Sequence, residues 1–163
     1  MIDLEQVRSV IAAGLYSHLN MPVVETDVEE TPAAYPFIKY GFSGPVLFPD
    51  KPVSVTVIPS STPDEVIERY TEQPSFRMTF LSCSDRPAAS LTNAIRLHDW
   101  FRIFGYGELK RNANTVVVTA GDIQNRDVQI GSAWERRHGF EVTFRTTSII
   151  DMQQPTIELI NWK

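Results

Sequence analysis

A chain of 163 residues with 42% hydrophobic and 21% charged side chains has globular composition and enough length to bury one core. Its formal net charge of −5 excludes a protein that coats nucleic acid, which needs clustered excess Lys and Arg to neutralise phosphates. The single cysteine, Cys83, excludes an intrachain disulfide, the apolar stretches fall short of the roughly 20 residues a membrane helix needs, and Met1-Ile2-Asp3-Leu4-Glu5 does not read as an export signal; a soluble protein folded in a reducing cytoplasm is expected.

Asp3 is placed to cap the first free amides with Gln6 three residues on, and Leu4, Val7, Val10, Ile11 and Leu15 recur at helical spacing. A helix from about Leu4 to Leu19 follows, stopped by Asn20 and Pro22. The acidic run Glu25, Asp27, Glu29, Glu30 ahead of Pro32 reads as a solvated connection. Strands are expected around Phe37 and Tyr40 and again at Val53, Val55 and Val57, separated by Gly41, Gly44, Pro45, Pro49 and Pro52. Thr62-Pro63-Asp64-Glu65 has the form of a helix start and predicts a short helix through Val66 and Ile67 before Pro74.

From Ser75 to Leu81, Phe76, Met78 and Phe80 alternate with Arg77 and Thr79, the pattern of a half-buried strand. Ser84 or Asp85 then caps a second helix with Pro87 in its first turn, carrying Leu91, Ile95, Leu97, Trp100, Phe101 and Phe104 before Gly105. As the most apolar element it should lie across the sheet. Val116 to Val118 is a strand, Ile123 to Ile130 a strand or extended arm, and Phe140, Val142 and Phe144 mark the strongest strand. Ile157 to Ile160 makes a last strand after Pro155. Two principal helices and six or seven strands, several too closely spaced for helical crossovers, imply an α+β fold: a mainly antiparallel sheet with the helices packed on it, in one domain over residues 1–163.

Chemistry has little footing. The sequence lacks a Gly-x-x-x-x-Gly-Lys phosphate loop, a Gly-x-Ser-x-Gly elbow and a His-Glu-x-x-His helix. His98-Asp99 is the one doublet that invites a metal, as in a small metal-dependent hydrolase, but the other histidines, His18 and His138, are expected on a helix and beside a strand. A structural His98 held by a backbone contact is the preferred reading, and Cys83 reads as a small semi-buried side chain instead of a nucleophile. The acidic run lacks the spaced oxygens and central glycine of a calcium loop. No catalytic residue, metal or cofactor is expected.

The most unusual stretch is Trp134-Glu135-Arg136-Arg137-His138-Gly139-Phe140-Glu141-Val142. Its arginines either sit exposed at the start of a hairpin or make planar, multi-donor contacts with carboxylates of an adjacent subunit, with Trp134 beside them or capping the core. Together with Tyr35-Pro36-Phe37-Ile38-Lys39-Tyr40, Ser75-Phe76-Arg77-Met78-Thr79-Phe80 and the Trp100-Phe101 helix, this stretch resembles the bacteriophage neck terminator, or tail terminator, family over Leu4 to about Ile160. The family pattern has an aromatic residue where this chain has His138.

The resemblance implies a tail-terminator-like α+β subunit of the virion neck that forms a closed homo-oligomeric ring, a hexamer. Such a ring caps the finished tail tube and joins it to the head–tail connector, meeting the tail sheath where the tail is contractile, while DNA passes through the lumen without specific binding. It implies no catalysis, cofactor or membrane, and assembly in the host cytoplasm. Trp134, Arg136, Arg137, Arg145 and Trp162 are the expected subunit or partner contacts, with the 41–51 and 112–125 regions and Ile160 to Lys163 as segments that reach a neighbour. Outside this reading stand the His98/Asp99 hydrolase and another phage head-completion or tail-tube protein.

Overall fold

The computed structural model describes residues 1–26 and 34–156. The expected strand from Ile157 to Ile160 and Trp162 lie outside them, as does most of the acidic connection. In chain order the described elements are α1 (Leu4–Leu19), β1 (Val23–Glu25), β2 (Phe37–Phe42), β3 (Ser54–Pro59), β4 (Glu65–Glu72), β5 (Ser75–Ser84), α2 (Pro87–Asp99), a π-helical turn (Trp100–Phe104), α3 (Tyr106–Ala113), β6 (Thr115–Ala120), β7 (Gln124–Asn125), β8 (Val128–Ile130), β9 (Ala133–Thr146) and β10 (Ser148–Pro155). The fold is α+β and mostly antiparallel, as the sequence predicts.

α1 starts where Asp3 accepts a hydrogen bond from the Gln6 backbone N–H at 2.9 Å. It ends at Asn20, whose left-handed backbone (φ 54) turns its N–H onto the Tyr16 carbonyl. The main sheet runs β1-β2-β5-β9-β6, with β7 and β8 paired to β9. Its neighbours are antiparallel except β1 and β2. Alternation on the two central strands sends Phe76, Met78 and Phe80, and across from them Phe144, Val142 and Phe140, to one side, where all six are buried. α1 brings Val7, Ile11 and Leu15 to the same core, and α2 with the π turn brings Leu97, Trp100 and Phe101. Phe101 packs on Phe80 with ring centroids 4.5 Å apart.

Trp100 explains the π turn. Gly105 donates its N–H to the Trp100 carbonyl at 2.7 Å, five residues back, and its α-carbon lies against the indole. Gly14 of α1 presses on the same ring, and a Cβ on either glycine would overlap it. With Gly105 occupying the position against the indole, Phe104 turns outward and is 62% exposed.

The second sheet has the order β10-β4-β3 and grows out of the first. β5 pairs with β9 from Ser84 opposite Arg136 to Ser75 opposite Arg145. The Thr146 N–H then donates to the Pro74 carbonyl at 3.0 Å, and β4 pairs with β10 from Glu72 opposite Ser148 to Glu65 opposite Pro155. The pairing therefore never changes register. A single antiparallel ribbon, about 65 Å in contour at roughly 3.3 Å per residue, belongs to the core at one end and carries β3 at the other.

Several expectations are corrected. The helix predicted at Thr62 to Ile67 is strand β4: Asp64 takes a left-handed conformation (φ 62) and the following residues pair on both edges, with β3 and β10. The second helix stops being α-helical at Asp99, its N-cap is Arg86 without a side-chain cap, and Leu91, Ile95 and Phe104 are exposed. Gly105 and Gly107 flank the start of α3, a helix the sequence does not predict, so the described residues form three α-helices instead of two. The 112–125 region is no arm, since most of it forms β6 and β7 against β9. β10 was not expected, and the described strands number ten.

Candidate assembly surfaces

β9 positions four of the five predicted contact residues, in two separate places. At its start, alternation puts Trp134, Arg136 and His138 on one face and Glu135 and Arg137 on the other. Arg136 lies 5.5 Å from the Trp134 ring centroid, a cation–π distance, and donates to Asp127 at 2.9 Å. The Arg137 backbone N–H donates to the second oxygen of Asp127 at 2.8 Å. Burial works against the charge on Asp127, but these donors hold its carboxyl below the ordinary aspartate range.

On the opposite face Glu135 is 5% exposed, accepting from the Tyr35 hydroxyl at 2.6 Å and from Arg137 Nε. Burial opposes its ionisation, yet Tyr35 and Arg137 keep its carboxyl below the usual glutamate range. The bond to Glu135, aided by burial, pushes the Tyr35 hydroxyl up to about 12. Cys83, opposite Arg137 on β5, is fully buried, and burial pushes its thiol up to about 12. Both arginines thus hold carboxylates of their own chain, which fixes the tip of β9 and leaves the Trp134 indole 50% exposed.

Arg145 stands nine residues further along β9 than Arg136, about 30 Å away at roughly 3.3 Å per residue. It lines a cleft with Leu47, Phe48, Lys51, Gln73 and Ser75, where the two sheets meet. Leu47 and Ser75 exchange two backbone hydrogen bonds of 2.8 Å there, leaving Leu47 and Phe48 exposed.

The projecting sheet, whose strands β4 and β10 the sequence does not announce, carries an exposed apolar face. Register puts Val55, Tyr70 and Ile150 in one row and Val57, Glu68 and Met152 in the next, all on the same side. Val55, Val57, Ile150 and Met152 are 52%, 60%, 54% and 43% exposed. The even-numbered residues of β4 and β10 continue the side that, on β5 and β9, lies under the helices. The opposite side holds the bidentate ion pair of Arg69 and Asp151, both bonds 2.8 Å.

His98, the histidine of the doublet that suggests catalysis, is occupied structurally. His98 Nε2 is 3.0 Å from the Gly121 carbonyl, which can only accept, and its ring meets Phe140 edge-on. No group of three or more metal-ligating side chains occurs among the described residues. Ser90 and His138 make a contact that proximity in sequence does not reveal, Oγ to Nδ1 at 2.9 Å. Ser90 is fully buried and its one proton goes to the Ser82 carbonyl at 2.9 Å, so His138 Nδ1–H donates to it, locking α2 to the sheet.

No curated protein matches the sequence. The family model described as phage neck terminator protein matches residues 6–163. That span takes in the helix layer, the long ribbon and the β9 tip alike, and the chain belongs to the phage neck terminator proteins, structural components of the virion neck.

Proposed function

We propose that the whole chain acts as one domain and assembles into a closed hexameric ring. The ring caps the tail tube, joins it to the head–tail connector or adaptor, contacts the sheath where the tail is contractile, and lets DNA through its lumen without binding specific sequences. Assembly takes place in the host cytoplasm, and no catalytic role is assigned. The observation that carries this reading is the projecting sheet, whose ribbon runs on beyond its helical cover with four large apolar side chains about half exposed. A sheet face of this kind is stabilised by a second layer, and among the described residues that layer lies over the main sheet alone.

Trp134, Arg136, Arg137 and Arg145 are assigned to subunit or partner contacts, along with Trp162. Arg136 and Arg137, already anchored by Asp127 and Glu135, would present Trp134 in a fixed pose, while Arg145 serves a contact at the cleft. Native mass spectrometry and electron micrographs of the purified protein, alone and mixed with tail tubes, test the reading. Six-membered rings and capped tube ends are expected; a strictly monomeric protein that ignores tubes refutes it.

A further inference from the structure

A ring built by one repeated contact needs two different surfaces on each subunit, one to give and one to receive. The chain offers two that differ in shape and in charge. The first is the apolar face of the projecting sheet. Its only charged residues are Glu68 and Glu72, and no cation stands on that face among the described residues, because Arg69 points to the other side and is held by Asp151.

The second lies on the helix side. The π turn leaves Ile103 and Phe104 63% and 62% exposed, more than any other large apolar side chain of the helices beyond residue 1. Phe104 packs on His18 at the end of α1, with centroids 4.9 Å apart and the ring planes tilted by 34°, and Arg96 reaches the His18 carbonyl at 3.4 Å. α1, α2 and the π turn thereby share one surface; its exposed charges near these apolar residues are the cations Arg96 and Arg102, with the half-buried Asp99 one turn before Arg102 and Ile103.

We propose that the acidic, apolar face of the projecting sheet in one subunit packs on the basic, apolar helix surface of the next copy, with Val57 and Ile150 against Ile103 and Phe104, and Glu68 facing Arg102. The inference rests on the ring reading above and names the surfaces that build the ring. Charge complementarity favours this occupant: carboxylates without a cation on one face meet guanidinium groups on the other, so the mating is directional and a sheet does not pair with a sheet. The layers agree as well, because the neighbour's helices would cover the side of the ribbon that the chain's own helices cover further along.

Arg102 is exposed and Glu68 half-buried, accepting from the Tyr70 hydroxyl at 2.7 Å, and neither belongs to the core, so circular dichroism melting verifies that each variant folds. By native mass spectrometry of the full chain, Glu68→Arg and Arg102→Glu should each raise the protein concentration for half-assembly by about tenfold or more, and the two together in one chain should restore assembly. An equimolar mixture of a Val57→Asp, Ile150→Asp chain with a Phe104→Asp chain keeps one good contact per pair, so it should stop at a dimer containing one of each. If all these variants form rings as the unmodified protein does, the proposed contact is wrong and the ring reading survives. Rings that form normally but no longer cap tail tubes after the sheet substitutions also overturn it, giving that face to the tube. An unmodified protein that never assembles, alone or with tubes, overturns both.

Discussion

Replacing Gly105 with Ala sets two effects of opposite sign against each other. Gly105 has φ −83 and ψ −10, a conformation open to alanine, and Gly→Ala at such a position ordinarily stabilises by about 0.4–1 kcal/mol through the unfolded chain. Here the new Cβ would lie 2.5–2.7 Å from three atoms of the Trp100 indole. That ring is 2% exposed and pressed from its other contact by Gly14, so it has nowhere to move. Overpacking of this kind costs roughly 1–3 kcal/mol. The clash wins, and a net loss of about 1–2 kcal/mol is expected, or roughly 2–8 °C in melting temperature for a chain of this size. Denaturant titration and thermal melting at fixed protein concentration measure it. Trp100→Phe, though destabilising by itself, makes room, so the double variant should lose less than the sum of the two single losses by about 1 kcal/mol. A Gly105→Ala protein that melts at or above the unmodified one, or purely additive losses in the double variant, would refute the slot as described.

Other outcomes follow from the same structure. Gly139→Ala should destabilise by a similar roughly 1–3 kcal/mol, since its Cβ would meet the Phe80 carbonyl at 2.5 Å across the β5–β9 ladder; equilibrium unfolding reads this directly. Cys83 should be inert to thiol reagents at neutral pH in the folded protein and react fully in guanidinium, and reaction at native rates near those of a free thiol would contradict its burial. The Tyr35 proton is held more tightly in the folded protein than in the unfolded chain, so its bond to Glu135 stabilises fully below about pH 10 and is lost as pH rises toward 12. Ultraviolet titration should show a late-ionising tyrosine that disappears in Tyr35→Phe. Asp127 is held below its ordinary range, so its contribution is present above the unfolded aspartate value and lost as pH falls; Asp127→Asn should flatten the acid limb of the stability profile.

What the sequence made legible is what local chemistry decides. α1 could be placed because Asp3 and Asn20 mark both ends, and β5 and β9 because burying one face forces Phe76, Met78, Phe80 and Phe140, Val142, Phe144 into alternation. β4 was hidden because Thr62-Pro63-Asp64-Glu65 has the local form of a helix start, and only pairing with β3 and β10, distant in sequence, overrides it. β10 was hidden because Ile149 and Ile150 are neighbours on opposite faces of a sheet that none of the described helices covers, so alternation leaves no mark. α3 buries only Leu109 fully, too little for a periodic signal beside two glycines. Among the contact residues, Trp134, Arg136 and Arg137 could be grouped by adjacency. The bonds of the two arginines to Asp127, and of Tyr35 to Glu135 beside them, could not, and the distance to Arg145 appears only once β9 is a single extended strand.

The unbroken ribbon also dictates an order of formation. Ser84 and Arg136, paired at its core end, are separated by far fewer residues than Glu65 and Pro155 at its outer end. Closing the shorter loop first costs less chain entropy, after which each further pair is added beside one already made. The ladder should therefore zip outward from the helix-covered end, with the outer strands joining last. Until β9 has emerged in synthesis, β5 lacks its central partner, and Phe76, Met78 and Phe80 wait for a strand more than fifty residues downstream by the pairing of Phe80 with Phe140.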